Sequence, residues 1–182
     1  QGSPALAGKD ISTLFEDSGG QLWVGTREHG AARLDPGSGR LLWIGREHPQ
    51  AEALSQGWVN AIAQPSPDEI WFSRFSEGVT IVDREQGSVR HLLRHDPAIP
   101  SGLSFDALGV LAVDRSGLLW VGAWGGGLQR HNPRNQAIRL LRHSPTHPHR
   151  LSHPSVLRIL ERADGSVLVQ YGETVVLVAT AS

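Results

Sequence analysis

The sequence predicts an all-β fold built from one repeated four-stranded unit. Tryptophan recurs in three similar segments, at Trp23, Trp71 and Trp120, in steps of 48 and 49 residues, and a further 48 residues lead to Leu168. Between these anchors, short runs of alternating apolar and polar residues are broken by Gly, Pro, Asp and Ser, which is typical of strands joined by tight turns. Four-stranded units repeated about every 40 to 50 residues indicate β-propeller blades.

Other residues keep the same spacing as the tryptophans. Twelve residues before the four anchors lie the apolar residues Ile11, Val59, Leu108 and Val156. Seven residues after the first three anchors lie the glycines Gly30, Gly78 and Gly127. Because several columns agree at one period, we predict three complete four-stranded blades and a partial fourth, over residues 6–53, 54–102, 103–150 and 151–182.

The first repeat shows how each blade divides into strands. Residues 11–17 and 21–26 form the first two predicted strands, separated by the turn Ser18-Gly19-Gly20. A turn that ends at Gly30 leads to a third strand at residues 31–35, and a second turn leads to a fourth strand at residues 40–45. The same order of signals recurs in the later repeats, and no segment shows an apolar stripe at helical spacing.

The tryptophan column is expected to be structural. Each ring supplies a large apolar area at a fixed place in the second strand, where adjacent blades meet. Loss of the ring at Leu168 predicts that the fourth blade is weaker or terminal.

Composition excludes several classes of protein. Apolar residues make up 39% of the chain and charged residues 19%, so the chain can bury a core. Lys and Arg number 17 against 18 Asp and Glu, and the net charge of −1 argues against nucleic-acid binding. The chain has no cysteine and no apolar run long enough to span a membrane.

One motif resembles a known repeat family. Residues 11–26 read I-x-x-L-x-E-D-x-x-G-x-L-W-V-G-T, with L-D-P ending at Pro36, and residues 108–133 repeat much of this pattern. It resembles the two-component regulator propeller repeat over nearly the whole chain. It departs at Gln64-Pro65, where Glu-Asp is expected, and at Leu168. The resemblance implies the extracytoplasmic, periplasmic sensing region of a bacterial signalling receptor, such as a hybrid histidine kinase or a diguanylate cyclase.

The number of blades raises the question of closure. Propellers of this kind usually close with about seven blades, and an open propeller exposes unpaired strand edges. Either further chain completes the propeller or two copies assemble around a common axis as a dimer. We favour the first and expect the sequence to be a piece of a longer protein, in which any membrane attachment lies outside these residues.

Candidate ligand-binding residues lie in the predicted loops between the second and third strands. In a propeller these loops share one face with the connections from strand four to the next blade, and loops on a rigid scaffold commonly carry function. They occupy the same place in each blade but differ in sequence, as expected of a binding face. The side chains suited to charge-assisted hydrogen bonds and stacking are Arg27, His29, Arg74, Phe75, Trp124 and Tyr171.

A small-molecule or oligosaccharide ligand is therefore expected, and the arginines favour an anion. Arg27 and Arg74 are predicted to stand in equivalent loops, and residues 128–160 contain six arginines but no Asp or Glu. Arginine presents a planar fork that matches carboxylate, sulfate or phosphate. A solvated outer rim explains the same charges, as does a general preference for Arg in a chain whose only lysine is Lys9.

No catalytic, metal or cofactor site is predicted. His147, His149 and His153 stand in a proline-broken loop, but imidazoles without Cys or a nearby carboxylate make a weak metal site. Ser, His and Asp do not form a nucleophile motif. Three aspartates in first-to-second-strand turns are expected to cap those turns: Asp17, Asp114 and Asp164.

These observations predict a non-catalytic sensing module. One alternative is a propeller enzyme of the lyase or lactonase type, which would place His, acidic residues or a divalent ion at the channel mouth. The predicted innermost strands are mainly aliphatic, which weakens that alternative. Another alternative is a protein-interaction scaffold.

Overall fold

In a computed structural model of the chain, the structure describes residues 8–44, 57–99, 102–133, 137–141, 151 and 153–178. The chain divides into two compact units. The first comprises Gln1–Phe75 with Val79–Leu92, and the second comprises Ser76–Gly78 with Leu93–Ser182. Each unit is built around two sheets.

The first and second sheets have four strands each, in sequence order. The first sheet contains β1 (Ile11–Glu16), β2 (Leu22–Thr26), β3 (Ala31–Leu34) and β4 (Leu41–Trp43). The second sheet contains β5 (Val59–Ser66), β6 (Glu69–Arg74), β7 (Gly78–Asp83) and β8 (Val89–Leu93).

The third and fourth sheets continue the pattern. The third sheet contains β9 (Leu108–Val113), β10 (Leu119–Ala123), β11 (Gly127–Asn132) and β12 (Ala137–Leu141), again in sequence order. The fourth sheet contains three strands within the described residues, β13 (Arg158–Glu161), β14 (Val167–Tyr171) and β15 (Thr174–Val178). The described ranges contain strands and turns but no helix, as expected for the all-β class.

The register of the sheets confirms that the predicted strands are equivalent. In every sheet the anchor residue of the second strand pairs with the residue eight positions earlier in the first strand. These antiparallel pairs are Trp23 with Phe15, Trp71 with Ala63, Trp120 with Ala112, and Leu168 with Leu160. The four sheets are therefore blades of a β-propeller, and the fold prediction is confirmed.

Each unit has its own apolar core, and the tryptophans stand in it as predicted. In the first unit Trp23 is fully buried and meets Phe72 of the second sheet edge to face, with ring centroids 5.8 Å apart. In the second unit Trp120 packs with Val156, Val167 and Val169. The anchor column thus joins neighbouring blades within each unit.

Two of the capping aspartates also bind the anchor tryptophan. Oδ1 of Asp17 accepts hydrogen bonds from the backbone of Gly19 and Gln21, while Oδ2 accepts one from Nε1 of Trp23 at 3.0 Å. Asp114 repeats this arrangement, accepting a hydrogen bond from Nε1 of Trp120 at 2.7 Å. Burial raises the pKa of each carboxyl, but the hydrogen bonds outweigh it and hold the pKa below its ordinary value.

The second and fourth repeats lack this tryptophan–aspartate pair, because one of its two positions holds a different residue in each. In the second, Pro65 stands at the aspartate position, and Nε1 of Trp71 instead donates to the Glu69 carboxylate at 3.2 Å. In the fourth, the anchor is Leu168, which has no N–H to satisfy. There Asp164, two residues further along the turn, accepts a hydrogen bond from the backbone of Ser166.

A glycine two residues after the anchor lets the next blade approach. A Cβ at Gly25 would lie 2.8 Å from Cγ1 of Val59, and one at Gly122 would lie 2.6 Å from Cγ1 of Val156. Val59 begins β5, Val156 lies two residues before β13, and both valines are fully buried. The G of the L-W-V-G pattern therefore allows close packing between blades.

Candidate functional site

The structure corrects the predicted position of two candidate residues. Arg74 and Tyr171 were expected in loops, but each is the last residue of a second strand, and both are buried. The residues at the same position in the other blades, Thr26 and Ala123, are also buried strand ends. Successive residues of a strand point to opposite faces, so a displacement of one position reverses exposure.

Tyr171 lies in the core of the second unit. Its ring packs in the cluster that contains Trp120 and Val156. Burial raises the pKa of its hydroxyl to about 12. Its hydroxyl has no hydrogen-bond partner among the described residues, so this tyrosine fills space between blades rather than facing a loop.

The exposed position is one residue further along, and it holds Arg27, Phe75 and Trp124. Each of their backbone N–H groups donates to the carbonyl of the residue just before the first strand, with N···O distances of 2.8–3.0 Å. The acceptors are Asp10, Trp58 and Ala107. Arg27 is therefore equivalent to Phe75 and not to Arg74, and the expectation of recurring loop arginines was wrong.

Arg27 and Phe75 meet on Trp58 within the first unit. We call these three residues the Trp58 cluster. The guanidinium carbon of Arg27 lies 4.9 Å from the centroid of the Trp58 ring. Phe75 stacks on the same indole, with ring centroids 5.2 Å apart and an interplanar angle of 23°. The arrangement combines a cation–π contact with an offset aromatic pair, and Phe75 keeps 39% of its surface exposed.

Backbone hydrogen bonds hold the segment before β5 against the loop of the first blade. The N–H of Gly57 donates to the Glu28 carbonyl at 3.1 Å, and the N–H of Gly30 donates to the Gly57 carbonyl at 3.2 Å. Trp58, which follows Gly57, is thereby fixed beside the loop that carries Arg27. Trp58 was not among the predicted site residues, because it lies in the connection from strand four and not in a loop between strands two and three, although the two share one face.

A second aromatic contact lies on the same loop. The ring of His29 lies 6.4 Å from that of Trp43, at the end of β4, and Nζ of Lys9 lies 5.3 Å from the Trp43 centroid. His29 is half-buried, and its Nδ1 has no hydrogen-bond partner among the described residues. His29 therefore stands near the predicted face but faces Trp43 rather than the Trp58 cluster.

The formal charges of the Arg, Lys, Asp and Glu side chains around this loop balance. Arg27 and Lys9 contribute two cations, while the exposed residues Asp10 and Glu28 contribute two carboxylates. No ion pair joins Arg27 to a carboxylate within the described part of the chain. The Arg27 guanidinium therefore keeps its hydrogen-bond donors available while it covers Trp58.

Trp124 stands at the equivalent position in the second unit. It is 41% exposed, and its Nε1 lies directly against Gly109, leaving no room there for a Cβ. Phe105 is also exposed and lies beside Gly125 and Gly126 in the same loop region. The second unit thus presents its own pair of exposed aromatic rings.

Much of the arginine-rich stretch lies outside the described residues. Arg134, Arg142 and Arg150 belong to this part, as do His147 and His149. Arg130 lies over Trp120, with its guanidinium carbon 5.6 Å from the ring centroid. Among the residues that the structure describes, no three His, Cys, Asp or Glu side chains gather as metal ligands. Nor does this part of the chain contain a helix of the length and apolar character needed to cross a membrane.

Residues 5–28 match the family model described as two component regulator propeller. This part of the chain is therefore similar to the two-component regulator propeller family. The match spans the first blade from before β1 to the loop of Arg27 and His29, and the anchor, aspartate and glycine of that blade recur together around Trp120. A comparison with curated protein sequences gives no match.

Solved structures share the propeller fold. Two are of the extracellular domain of BT4673 from B. thetaiotaomicron, described as a hybrid two component system and as a one component system. Their TM-scores are 0.70 and 0.68, their identities 19% and 20%, and they cover 93% and 92% of this chain. A third, the extracellular domain of the hybrid two component system BT3049 from B. thetaiotaomicron, has a TM-score of 0.56, 16% identity and 94% coverage. This chain spans 22%, 22% and 27% of their lengths.

Proposed function

We propose that this chain is a ligand-binding propeller segment from the extracytoplasmic sensing region of a bacterial two-component signalling receptor, and that the segment is not catalytic. The family match and the shared fold support the signalling role, since the similar structures are described as extracellular domains of such systems. The first strands contribute mainly aliphatic side chains and few groups that could act as a general acid or base.

The Trp58 cluster is the observation that carries the binding proposal. It places an aromatic pair and a guanidinium at the end of the blades where loops meet, and Phe75 and Arg27 are exposed. Aromatic faces stack on the apolar faces of sugar rings, and Arg27 can donate to a carboxylate or sulfate on the same molecule. The proposed ligand is a small molecule or oligosaccharide that carries an anionic group.

A binding screen with matched variants tests this proposal. Isothermal calorimetry would compare neutral, uronic-acid and sulfated oligosaccharides at low and high salt. We expect acidic ligands to bind more weakly as salt rises, because exposed charges are screened within about 8 Å at physiological ionic strength. Trp58→Ala should abolish binding. Arg27→Ala should weaken acidic ligands roughly tenfold or more, because a hydrogen bond to a charged group contributes about 1.5–3 kcal/mol.

Arg162→Ala serves as the control variant. Arg162 is an exposed arginine in a turn of the fourth blade, where it pairs with Asp164 at 3.3 Å. Its loss should leave ligand affinity unchanged. Binding that survives both Trp58→Ala and Arg27→Ala would place the ligand elsewhere, and a neutral ligand that binds equally well to Arg27→Ala would remove the anionic part of the proposal.

A further inference from the structure

The second unit repeats the backbone arrangement that holds Trp58 in the first. There the connection that enters the fourth blade crosses the loop of the third blade. The N–H of Gly127 donates to the carbonyl of Pro154 at 2.7 Å, and this bond is the counterpart of the one from Gly30 to Gly57. The two loops can therefore be compared residue by residue.

The same positions carry different chemistry in the two units. Ser155 follows Pro154 and so stands at the position of Trp58, while Trp124 stands at the position of Arg27. The second unit thus has an indole where the first has a guanidinium, and a hydroxyl where the first has an indole. The cation that favours an anionic ligand in the first unit is replaced by an uncharged ring.

Trp124 is held in a defined orientation at the surface. Its backbone N–H donates to the carbonyl of Ala107 at 2.8 Å, and its Nε1 lies against Gly109, which leaves no room there for a Cβ. The N–H of the next residue, Gly125, donates to Oγ of Ser155 at 3.0 Å. The exposed indole is therefore fixed before any ligand binds, which lowers the entropic cost of binding.

A buried glutamine fixes the second exposed ring, Phe105. Oε1 of Gln129 accepts a hydrogen bond from the N–H of Ser104 at 3.0 Å, and its Nε2 donates to the carbonyl of Gly102 at 3.0 Å. Oγ of Ser104 donates to the carbonyl of Gly126 at 3.0 Å. Phe105, the residue after Ser104, is thereby held beside the loop that carries Trp124.

Two uncharged hydrogen-bond donors accompany these rings. Gly126 is partly exposed, and its N–H has no acceptor among the residues that the structure describes. The Ser155 hydroxyl accepts from Gly125, and its own proton finds no acceptor in the same part of the chain. The hydroxyl oxygens of a sugar accept such hydrogen bonds, while the C–H face of a sugar ring stacks on an aromatic side chain.

We propose that the exposed rings and uncharged donors of this loop form a second binding site, which takes a neutral sugar ring. We call it the Trp124 site; it comprises Trp124, Phe105, the N–H of Gly126 and the hydroxyl of Ser155. It lies wholly within the second unit, beside the third and fourth blades. It goes beyond the proposed function, because it holds even if the Trp58 cluster binds no anionic ligand.

A nuclear magnetic resonance titration tests the Trp124 site directly. The chain has six tryptophans, so each indole N–H gives one signal that is assigned by substituting its residue with Phe. The neutral probes are maltotriose, cellotriose, xylotriose and mannotriose. We expect at least one of them to shift the indole signal of Trp124 and the amide signal of Gly126 in a saturable way, while the indole signal of Trp58 stays in place.

Substitutions separate the presence of the ring from its position. Trp124→Ala should weaken binding of the trisaccharide roughly tenfold or more, because it removes the larger stacking face, whereas Trp124→Phe should retain part of the affinity. Gly109→Ala keeps the indole but displaces it, so it should also weaken binding. Leu177→Ala, at another exposed apolar residue of the second unit, should bind like the native chain, and so should Trp58→Ala.

Four outcomes would overturn the proposal. They are no shift at Trp124 with any of the four trisaccharides, equal affinity in folded Trp124→Ala, a shift at Trp58 instead of Trp124, and binding of free indole as tight as that of the trisaccharides. Circular dichroism would verify that every variant is folded. Because each site is read from its own indole signal, failure of the Trp58 cluster to bind an acidic oligosaccharide is distinguishable from failure of the Trp124 site.

Discussion

At the scale of single residues, the anchor tryptophan and its aspartate form one hydrogen-bonded structural pair. The indole fills the space between blades, and its N–H needs a partner once it is buried. Asp17 and Asp114 supply that partner while their other oxygen caps the turn. Where the aspartate is missing, Glu69 replaces it, and where the indole is missing, no partner is needed. The residue at the aspartate position and the residue at the anchor position therefore depend on each other, because a buried indole N–H needs an acceptor and a leucine does not.

Replacing Trp120 should show how much this hydrogen-bonded pair contributes to the free energy of unfolding. Trp120→Ala removes a fully buried ring and leaves one oxygen of Asp114 without its donor, so it should lower the free energy of unfolding by roughly 3–5 kcal/mol. Trp120→Phe keeps most of the apolar area and isolates the lost hydrogen bond, which contributes about 1.5–3 kcal/mol when the acceptor is charged. Urea denaturation of each variant provides the measurement.

Trp124 provides the comparison within the same blade. It is 41% exposed, so Trp124→Ala should cost far less than Trp120→Ala. If Trp124→Ala proved the more destabilising change, the assignment of strand and loop in this blade would be wrong.

The residue scale is also where sequence reasoning lost accuracy. The repeat located Trp23, Trp71 and Trp120, because a large ring and a fixed period are strong signals. It placed the end of the second strand correctly at Thr26 in the first blade but one residue too early in the other three, because glycine spacing and turn residues leave a strand boundary uncertain by a residue or more. That single position decides whether Arg74 and Tyr171 face a core or a loop. The contact of Arg27 with Trp58 joins residues from two blades and has no local signal.

At the scale of strands, two successive blades pack through the second strand of the earlier blade and the start of the later blade. Gly122 has an ordinary backbone conformation, so its value lies in the space that it leaves for Val110 and Val156. This explains why an apolar first strand and a glycine in the second strand recur together. The strand order itself was predictable from turn signals, whereas the register shifts along β5 were not.

Gly122→Ala should therefore destabilise the second unit. The new Cβ would lie 2.5 Å from Cγ1 of Val110 and 2.6 Å from Cγ1 of Val156, which forces the strands apart and should cost roughly 1–3 kcal/mol. Gly37→Ala is the matched control, since a Cβ there meets only the Asp35 carboxylate at 3.4 Å. Thermal unfolding should show a lower midpoint for Gly122→Ala alone.

A double-mutant cycle identifies the cause of that loss. Val156→Ala makes room on one side of the new methyl group, so Gly122→Ala should cost less in its presence than in the native chain. Strictly additive effects of the two substitutions would show that Gly122 acts within its own blade, through its backbone or Val110, and not through the adjoining blade.

At the scale of the whole molecule, stability in a repeat protein is approximately the sum of each blade's own stability and its contacts with neighbours. The third sheet has β10 paired on both sides, with both of its faces buried. The fourth sheet has three described strands and leaves Leu160, Val175 and Leu177 exposed. The two sheets of the second unit therefore differ in how much of their apolar surface is buried.

Hydrogen exchange should report this difference directly. Val121 and Val169 are central residues of β10 and β14, and each pairs with strands on both sides. Because the face of the fourth sheet that carries Leu160, Val175 and Leu177 is exposed, we expect the amide of Val169 to exchange faster than that of Val121. NMR exchange rates that are equal at the two amides would show that the fourth sheet opens only together with the third, and that its exposed face does not limit its stability.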